Sequence, residues 1–264
     1  MPIAIQDFPA DPECRGTQWS LADENLLAAL VALVLVGRDR IAAFVLRSVQ
    51  ATPQPVPTSV EQKERLRSRL LTTNEKLIYH RDGLLFEIIC WIVAEMTATA
   101  NEAVSEPHLS STKQGLDTIK VSFDPALRRV QRATIHEQKC SENARQIFLS
   151  QVLPGFRKWM NGERDSELLQ AVIGLLSRFN LSEAELNEIY DSLLNDRPLS
   201  FRAALTVAPP PYSQSQCVSL FETYAQLTPL IDDRLGDTFP LVDIRAWFEA
   251  FAQKVWSKIE AGHV

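Results

Sequence analysis

The chain has 264 residues, enough for a sizeable core in one α/β domain with a helical extension. With 45% hydrophobic and 23% charged residues it is neither disordered nor fibrous. A formal net charge of −6 argues against a stand-alone sequence-specific DNA binder, which needs clustered Lys and Arg. A local basic groove, or a partner that delivers the chain to its substrate, remains compatible with it.

Residues 1–20 contain prolines and few periodic signals and read as an irregular lead-in. Ser20, Asp23 and Glu24 mark a helix start. The apolar run Asn25 to Gly37 follows and continues into IAAFVLRSV. That run is too short to span a bilayer, is flanked by charges and lacks a signal-peptide pattern, so it predicts a buried helix in a cytoplasmic protein without membrane partners. Three prolines between Thr52 and Val60 break the helix. A solvated charged helix is expected over 59–71.

Gly83 to Ala98 (GLLFEIICWIVAEMTA) is apolar on most sides, as in a helix buried against a sheet, with Glu87 in its middle. A carboxylate in such surroundings needs a partner or a metal. Glu95, eight residues on, is a rival for the same duty. Asp117 to Phe123 alternates as a strand does, Asp124-Pro125 signals a turn, and Val130 to Lys139 reads as a second strand able to pair with the first. Helical patterns follow from Ser141. Ser166 and Ser182 each precede a Glu and are expected as N-caps. Phe201 to Val207 reads as a strand before Pro209 to Pro211, about Gln214 to Leu227 as a helix, Phe239 to Ile244 as a short strand, and RAWFEAFAQKVWSKIEA as a terminal helix. The expected architecture is an α/β fold, a mixed sheet flanked by helices. Residues 1–74 form an N-terminal helical region packed on a core of residues 75–264.

Phosphodiester hydrolysis needs charge neutralised on a pentacovalent transition state and an activated water. Two carboxylates holding one or two Mg²⁺ ions supply both, and a nearby lysine stabilises developing charge or orients the water. Glu137 and Lys139 stand two apart on one strand face, with Ala133 and Ile135 preceding them, and Asp117 begins the neighbouring strand. The backbone carbonyl of Gln138 lies between the two side chains as a further possible ligand. The triplet ExK alone carries little information: Glu61-Gln62-Lys63 repeats EQK within the solvated helix. The signal lies in the strand period, the upstream Asp117 and the helix that follows.

GLDTIKVSF and ATIHEQK resemble the active-site hairpin of the PD-(D/E)xK nuclease superfamily, with Asp117 on the first strand and Glu137-Gln138-Lys139 on the second. Leu116 stands where that pattern has a proline, and the twenty-residue interval from Asp117 to Glu137 is generous. The broader layout, about residues 75 to 250, resembles HamA, the nuclease-like subunit of Hachiman anti-phage systems, whose partner is a superfamily 2 helicase. The resemblance implies a restriction-endonuclease-like core and a Mg²⁺-dependent deoxyribonuclease, with Mn²⁺ able to stand in for Mg²⁺. In it Asp117 and Glu137 hold the metal, Lys139 serves the transition state or water, and Glu87 assists from the preceding helix. DNA and a helicase are the implied partners; an inert nuclease-fold subunit that docks the helicase is the alternative.

Several neighbours read as structural or auxiliary. His136 faces away from Glu137. His80 and His108 lack ligand spacing. Gln146 has a place one turn into the next helix. Arg128, Arg129 and Arg132 offer the hairpin a basic edge towards DNA, or a solvated turn. The scattered cysteines Cys14, Cys90, Cys140 and Cys217 suggest reduced thiols rather than a disulfide framework or zinc knuckle. No P-loop, GxGxxG, HExxH or GxSxG motif occurs.

Overall fold

A computed structural model describes residues 1–7, 12–48, 58–107, 117–208 and 219–262. Seven strands form one sheet: β1 (Ile3–Asp7), β2 (Arg15–Leu21), β3 (Glu102–Val104), β4 (Thr118–Asp124), β5 (Arg129–Lys139), β6 (Leu199–Val207) and β7 (Arg234–Pro240), in the order β1-β2-β7-β6-β5-β4-β3. The centre, β2-β7-β6-β5, is parallel, and antiparallel pairs close both edges. The helices are α1 (Glu24–Leu35), α2 (Asp39–Arg47), α3 (Val60–Leu70), α4 (Glu75–Met96), α5 (Ala144–Ile147), α6 (Leu153–Met160), α7 (Asp165–Leu176), α8 (Glu183–Asn195) and α9 (Ile244–Ala261). The fold is mixed α/β, with helices on both faces of a mixed sheet.

The two faces carry two cores. Trp19, Ala204 and Phe239 pack with α1, α3, α4 and α9 on one side. Ile119, Val121, Ala133, Ile135, Phe201 and Leu205 pack with α6, α7 and α8 on the other. Every residue of α1 from Leu27 to Leu35 is buried, as a helix apolar all round requires. The first core runs unbroken from α1 through α3 to α4 and α9, so apolar packing crosses residue 74 without a seam.

Residues 1–20 are not an irregular lead-in, because they supply the β1-β2 hairpin that extends the sheet. Ile3 and Trp19 are the buried hydrophobic residues of these strands, one in each, which leaves almost no alternation to read. The long helix expected from Asn25 onward is two helices, parted at Gly37, whose φ of +78° suits glycine. α4 begins eight residues before Gly83, capped by Asn74, whose side chain accepts from Lys76 N. α7 begins at Asp165 without a side-chain cap, so Ser166 lies inside the helix. At α8 the capping box forms, with Ser182 and Glu185 serving each other's backbone N–H. The last strand spans Arg234–Pro240, earlier than FPLVDI, because Gly236 and Asp237 interrupt its apolar pattern. The triple proline, and residues 214–218 of the helix expected over 214–227, fall outside the described residues; the described remainder is a short helical end over 219–221 and a 3-10 turn, Tyr224–Gln226, not a continuous helix to Leu227. Among the described residues no helix is long and apolar enough to cross a membrane.

Candidate active site

β4 and β5 pair antiparallel with Ile119 opposite Ile135 and Thr118 opposite His136. One residue beyond that last pair, Asp117 continues the ladder with its side chain: Oδ2 accepts from the Gln138 backbone N–H at 3.3 Å. On the opposite sheet face the Gln138 amide donates to Thr118 Oγ1 at 3.2 Å, pinning the same register from behind. Strand alternation then sends Glu137 and Lys139 to the face of Ala133 and Ile135, as the spacing predicts. The site lies at the carboxyl end of the parallel strands, where open α/β sheets place their ligands.

Lys139 Nζ donates to Glu137 Oε1 at 2.5 Å and lies 3.7 Å from Asp117 Oδ2. Both carboxylates therefore converge on one cation. The three side chains are 25%, 17% and 27% exposed for Asp117, Glu137 and Lys139, so each is partly buried and still meets solvent. The first turn of α6 lies against Glu137: a Cβ on Gly155 would stand 3.9 Å from Glu137 Oε2. A π-helical stretch, Phe148–Val152, separates α5 from α6, a feature common beside functional sites.

The electrostatics follow from this crowding. Burial, then the neighbouring Asp117, push the Glu137 carboxyl above its ordinary range, against the opposing pull of Lys139 and Arg164. Burial acts to lower Lys139, but Glu137, Asp117 and the charge of Glu87 outweigh it, and its pKa rises. Lys139 therefore stays an ammonium at neutral pH.

Glu87 is half-buried on α4; its charge is the smallest of the influences on Lys139 and also acts on Arg69 of α3, where it opposes burial. Among the described residues no three His, Cys, Asp or Glu side chains come together to hold a metal. The donor set is thus the Asp117–Glu137 pair with the Gln138 backbone between them. Carboxylates are the oxygen ligands a hard divalent cation prefers, so Asp117 and Glu137, both within 3.7 Å of Lys139 Nζ, are the residues that could hold one.

Glu95 does not share this site. It is buried and ion-paired to Arg47 at 2.5 Å, in a recess between α2, α4, β3 and α7. His136 points to the opposite sheet face beside Arg202, and burial, then Arg202 and Lys120, hold its pKa well below the ordinary value. His80 and Gln146 are exposed, and His108 lies outside the described residues. The hairpin arginines lie away from Glu137, towards the turn between β4 and β5. Arg129 is eight residues from Glu137 along β5, about 26 Å at the rise of a strand. Arg128 is bound to Glu185 at 2.6 Å and Arg132 to Asp233 at 3.3 Å, so these two brace the fold. Cys14, Cys90 and Cys140 are free thiols, and Cys217 lies outside the described residues.

Two features have no counterpart in the motif. Arg164 stacks on Trp159 at 4.1 Å, is tied to Glu167 at 2.5 Å and favours the ionised form of Glu137. Nothing in its spacing signals this, because a bulged helix and a turn separate it from Lys139. At the same end of the sheet Asp82, fully buried, accepts from Arg81 and from Arg245 of α9. Two adjacent charges at the mouth of an apolar run (HRDGLL) were the available signal, since buried charges need partners. No family model, curated protein or solved structure matches the chain.

Proposed function

We propose that this chain is a Mg²⁺-dependent DNA nuclease built on a restriction-endonuclease-like core, the effector subunit of an anti-phage complex with a superfamily 2 helicase. The observation that carries the reading is the convergence of Asp117 and Glu137 on one cation position at the carboxyl end of the sheet, with Lys139 at their centre. Asp117 and Glu137 would hold Mg²⁺ or Mn²⁺, with the Gln138 carbonyl as a further oxygen. When bound, such a cation supplies positive charge opposite the pentacovalent phosphate and makes water a better nucleophile. Lys139, kept protonated by its neighbours, donates N–H bonds to phosphate oxygens as negative charge grows on them. Glu87 supports that ammonium from α4. The net charge of −6 and the resemblance to HamA support a helicase partner that brings DNA to the site or restrains cutting.

One observation favours a second reading, a nuclease-fold subunit that docks a helicase without cutting. The Lys139 ammonium ion-pairs with both carboxylates and so offsets one of their two charges. Plasmid degradation in Mg²⁺, with and without the helicase, separates the two. Cutting by the wild type, lost in Glu137→Ala/Lys139→Ala and kept in Glu61→Ala/Lys63→Ala, supports the nuclease. A Glu137→Ala/Lys139→Ala variant that cuts as well as wild type overturns the assignment.

A further inference from the structure

β3 ends the sheet at one edge, and beside it lies a recess of about 740 Å³. Its walls show where it sits. Arg40, Phe44 and Arg47 come from α2, whose core lies on one face of the sheet, and Ala171 and Gly174 come from α7, whose core lies on the other. Ala103 to Glu106 form the floor. A space bounded by β3 and by helices from both faces lies off the outer edge of that strand, in the position an eighth strand would take.

The floor is fixed. The Ser105 N–H donates to the Ile119 carbonyl at 2.9 Å, and the Ser105 carbonyl accepts from Trp91 Nε1 at 3.0 Å. Backbone groups alternate in direction along an antiparallel pair, so the N–H and C=O of Val104 point away from β4 and towards the recess. Among the described residues no strand lies beyond them. Phe44 is 65% exposed on the α2 wall, and a Cβ on Gly174 would meet nothing within 4 Å, so the α7 wall leaves room for side chains.

The charges narrow the choice of occupant. Arg47 is paired to Glu95 at 2.5 Å and Arg40 to Glu106 at 3.4 Å, and Asp39 stands in the first turn of α2, where the helix dipole favours it. The α7 wall, Gln170 to Leu175, carries no charge. Each charge of the lining thus has its counterpart, which suits an uncharged segment and offers nothing to a polyanion. Main-chain hydrogen bonds to a sheet edge are what an extended peptide supplies. The β3 of a second copy is recessed in the same way and cannot reach in.

We propose that this edge docks an extended, uncharged, apolar segment of a protein partner, which adds to β3 as an eighth strand. Its backbone pairs with Val104, and its side chains alternate between the Phe44 side and the open surface at Gly174. The proposal goes beyond the nuclease reading and does not depend on it.

The test pans a displayed heptapeptide library over the full chain, with counter-selection on Gly174→Leu, and measures an enriched peptide, fluorescein-labelled, by anisotropy. Enriched peptides are uncharged and apolar. Gly174→Leu, which a helix prefers to glycine, fills the recess, and Val104→Pro removes the outward N–H, a change edge strands accept. Each weakens binding about tenfold with circular dichroism unchanged, and Phe44→Ala weakens it as well. N-methylation of alternate peptide amides weakens binding in one register and spares it in the other, because only alternate amides face β3. The proposal is overturned if no peptide prefers wild type to Gly174→Leu, if an enriched peptide binds Val104→Pro as it binds wild type, or if neither methylated series loses affinity. A dimer in sedimentation equilibrium that Gly174→Leu dissolves also overturns it, by giving the edge to a second copy.

Discussion

Replacing Asp82 by Asn removes one charge from the most buried ion cluster near the site while keeping the side chain's shape. Asp82 is fully buried and Arg81 is 4% exposed. Arg81 grips Oδ1 with both Nε and a terminal nitrogen, at 2.8 and 2.7 Å. Arg245 holds the other oxygen at 2.6 Å. Breaking a buried pair by removing one partner costs about 3–5 kcal/mol, because the remaining charge is stranded away from water. Asparagine keeps one acceptor and Arg245 is partly solvated, which places this change at the low end, about 3 kcal/mol. For a chain of this length that lowers the melting temperature by about 6 °C. Urea unfolding of Asp82→Asn against wild type measures it. Arg81→Met/Asp82→Leu, which removes the Arg81–Asp82 pair together, should recover part of the loss. An Asp82→Asn protein within about 1 kcal/mol of wild type would refute the claim that the cluster is uncompensated without its carboxylate.

Two further predictions follow from local geometry. Gly236→Ala puts a Cβ 2.8 Å from Cys14 Sγ and from the Phe221 ring, so it should overpack β7 and cost about 1–3 kcal/mol, read by urea unfolding. Glu137 titrates above its ordinary range in the native state, through burial first and then Asp117. Between the unfolded and folded pKa values the native protein thus binds more protons than the unfolded chain, so Glu137 contributes stability present below the unfolded value and lost as pH rises through the folded one. Wild type should gain stability relative to Glu137→Gln on acidification from pH 7 to pH 5, and a difference independent of pH would contradict it.

The site's hairpin was legible because β4 and β5 have one buried face, so period-2 alternation fixed which residues share a side with Ile135. Asp117 lies one residue before β4 rather than in it, and still comes beside Gln138, because a short connection and one-sided burial leave few registers. The charged helix expected around Glu61-Gln62-Lys63 forms as α3, with Glu61 exposed in its first turn and Lys63 reaching the Glu260 carbonyl at 3.2 Å. What stayed illegible depends on contacts distant in the chain. β1 is an edge strand on β2, and β2 joins the sheet only through β7, over two hundred residues away. Arg164 and Arg245 come to the site through helices packed on opposite sheet faces, and no spacing in the chain encodes that meeting. For the hairpin arginines the sequence left a basic edge and a solvated turn open, because arginine content says nothing of which partners the fold brings near. Arg128 and Arg132 spend their charge on Glu185 and Asp233.

The central claim is that Asp117 and Glu137 together hold a divalent cation beside Lys139. Anomalous diffraction from crystals soaked in Mn²⁺ tests it most directly. The account predicts a peak within ligand distance, about 2–2.5 Å, of carboxylate oxygens from both residues, absent in Asp117→Asn/Glu137→Gln. Full Mn²⁺ occupancy at some other site, with none between Asp117 and Glu137, would contradict it.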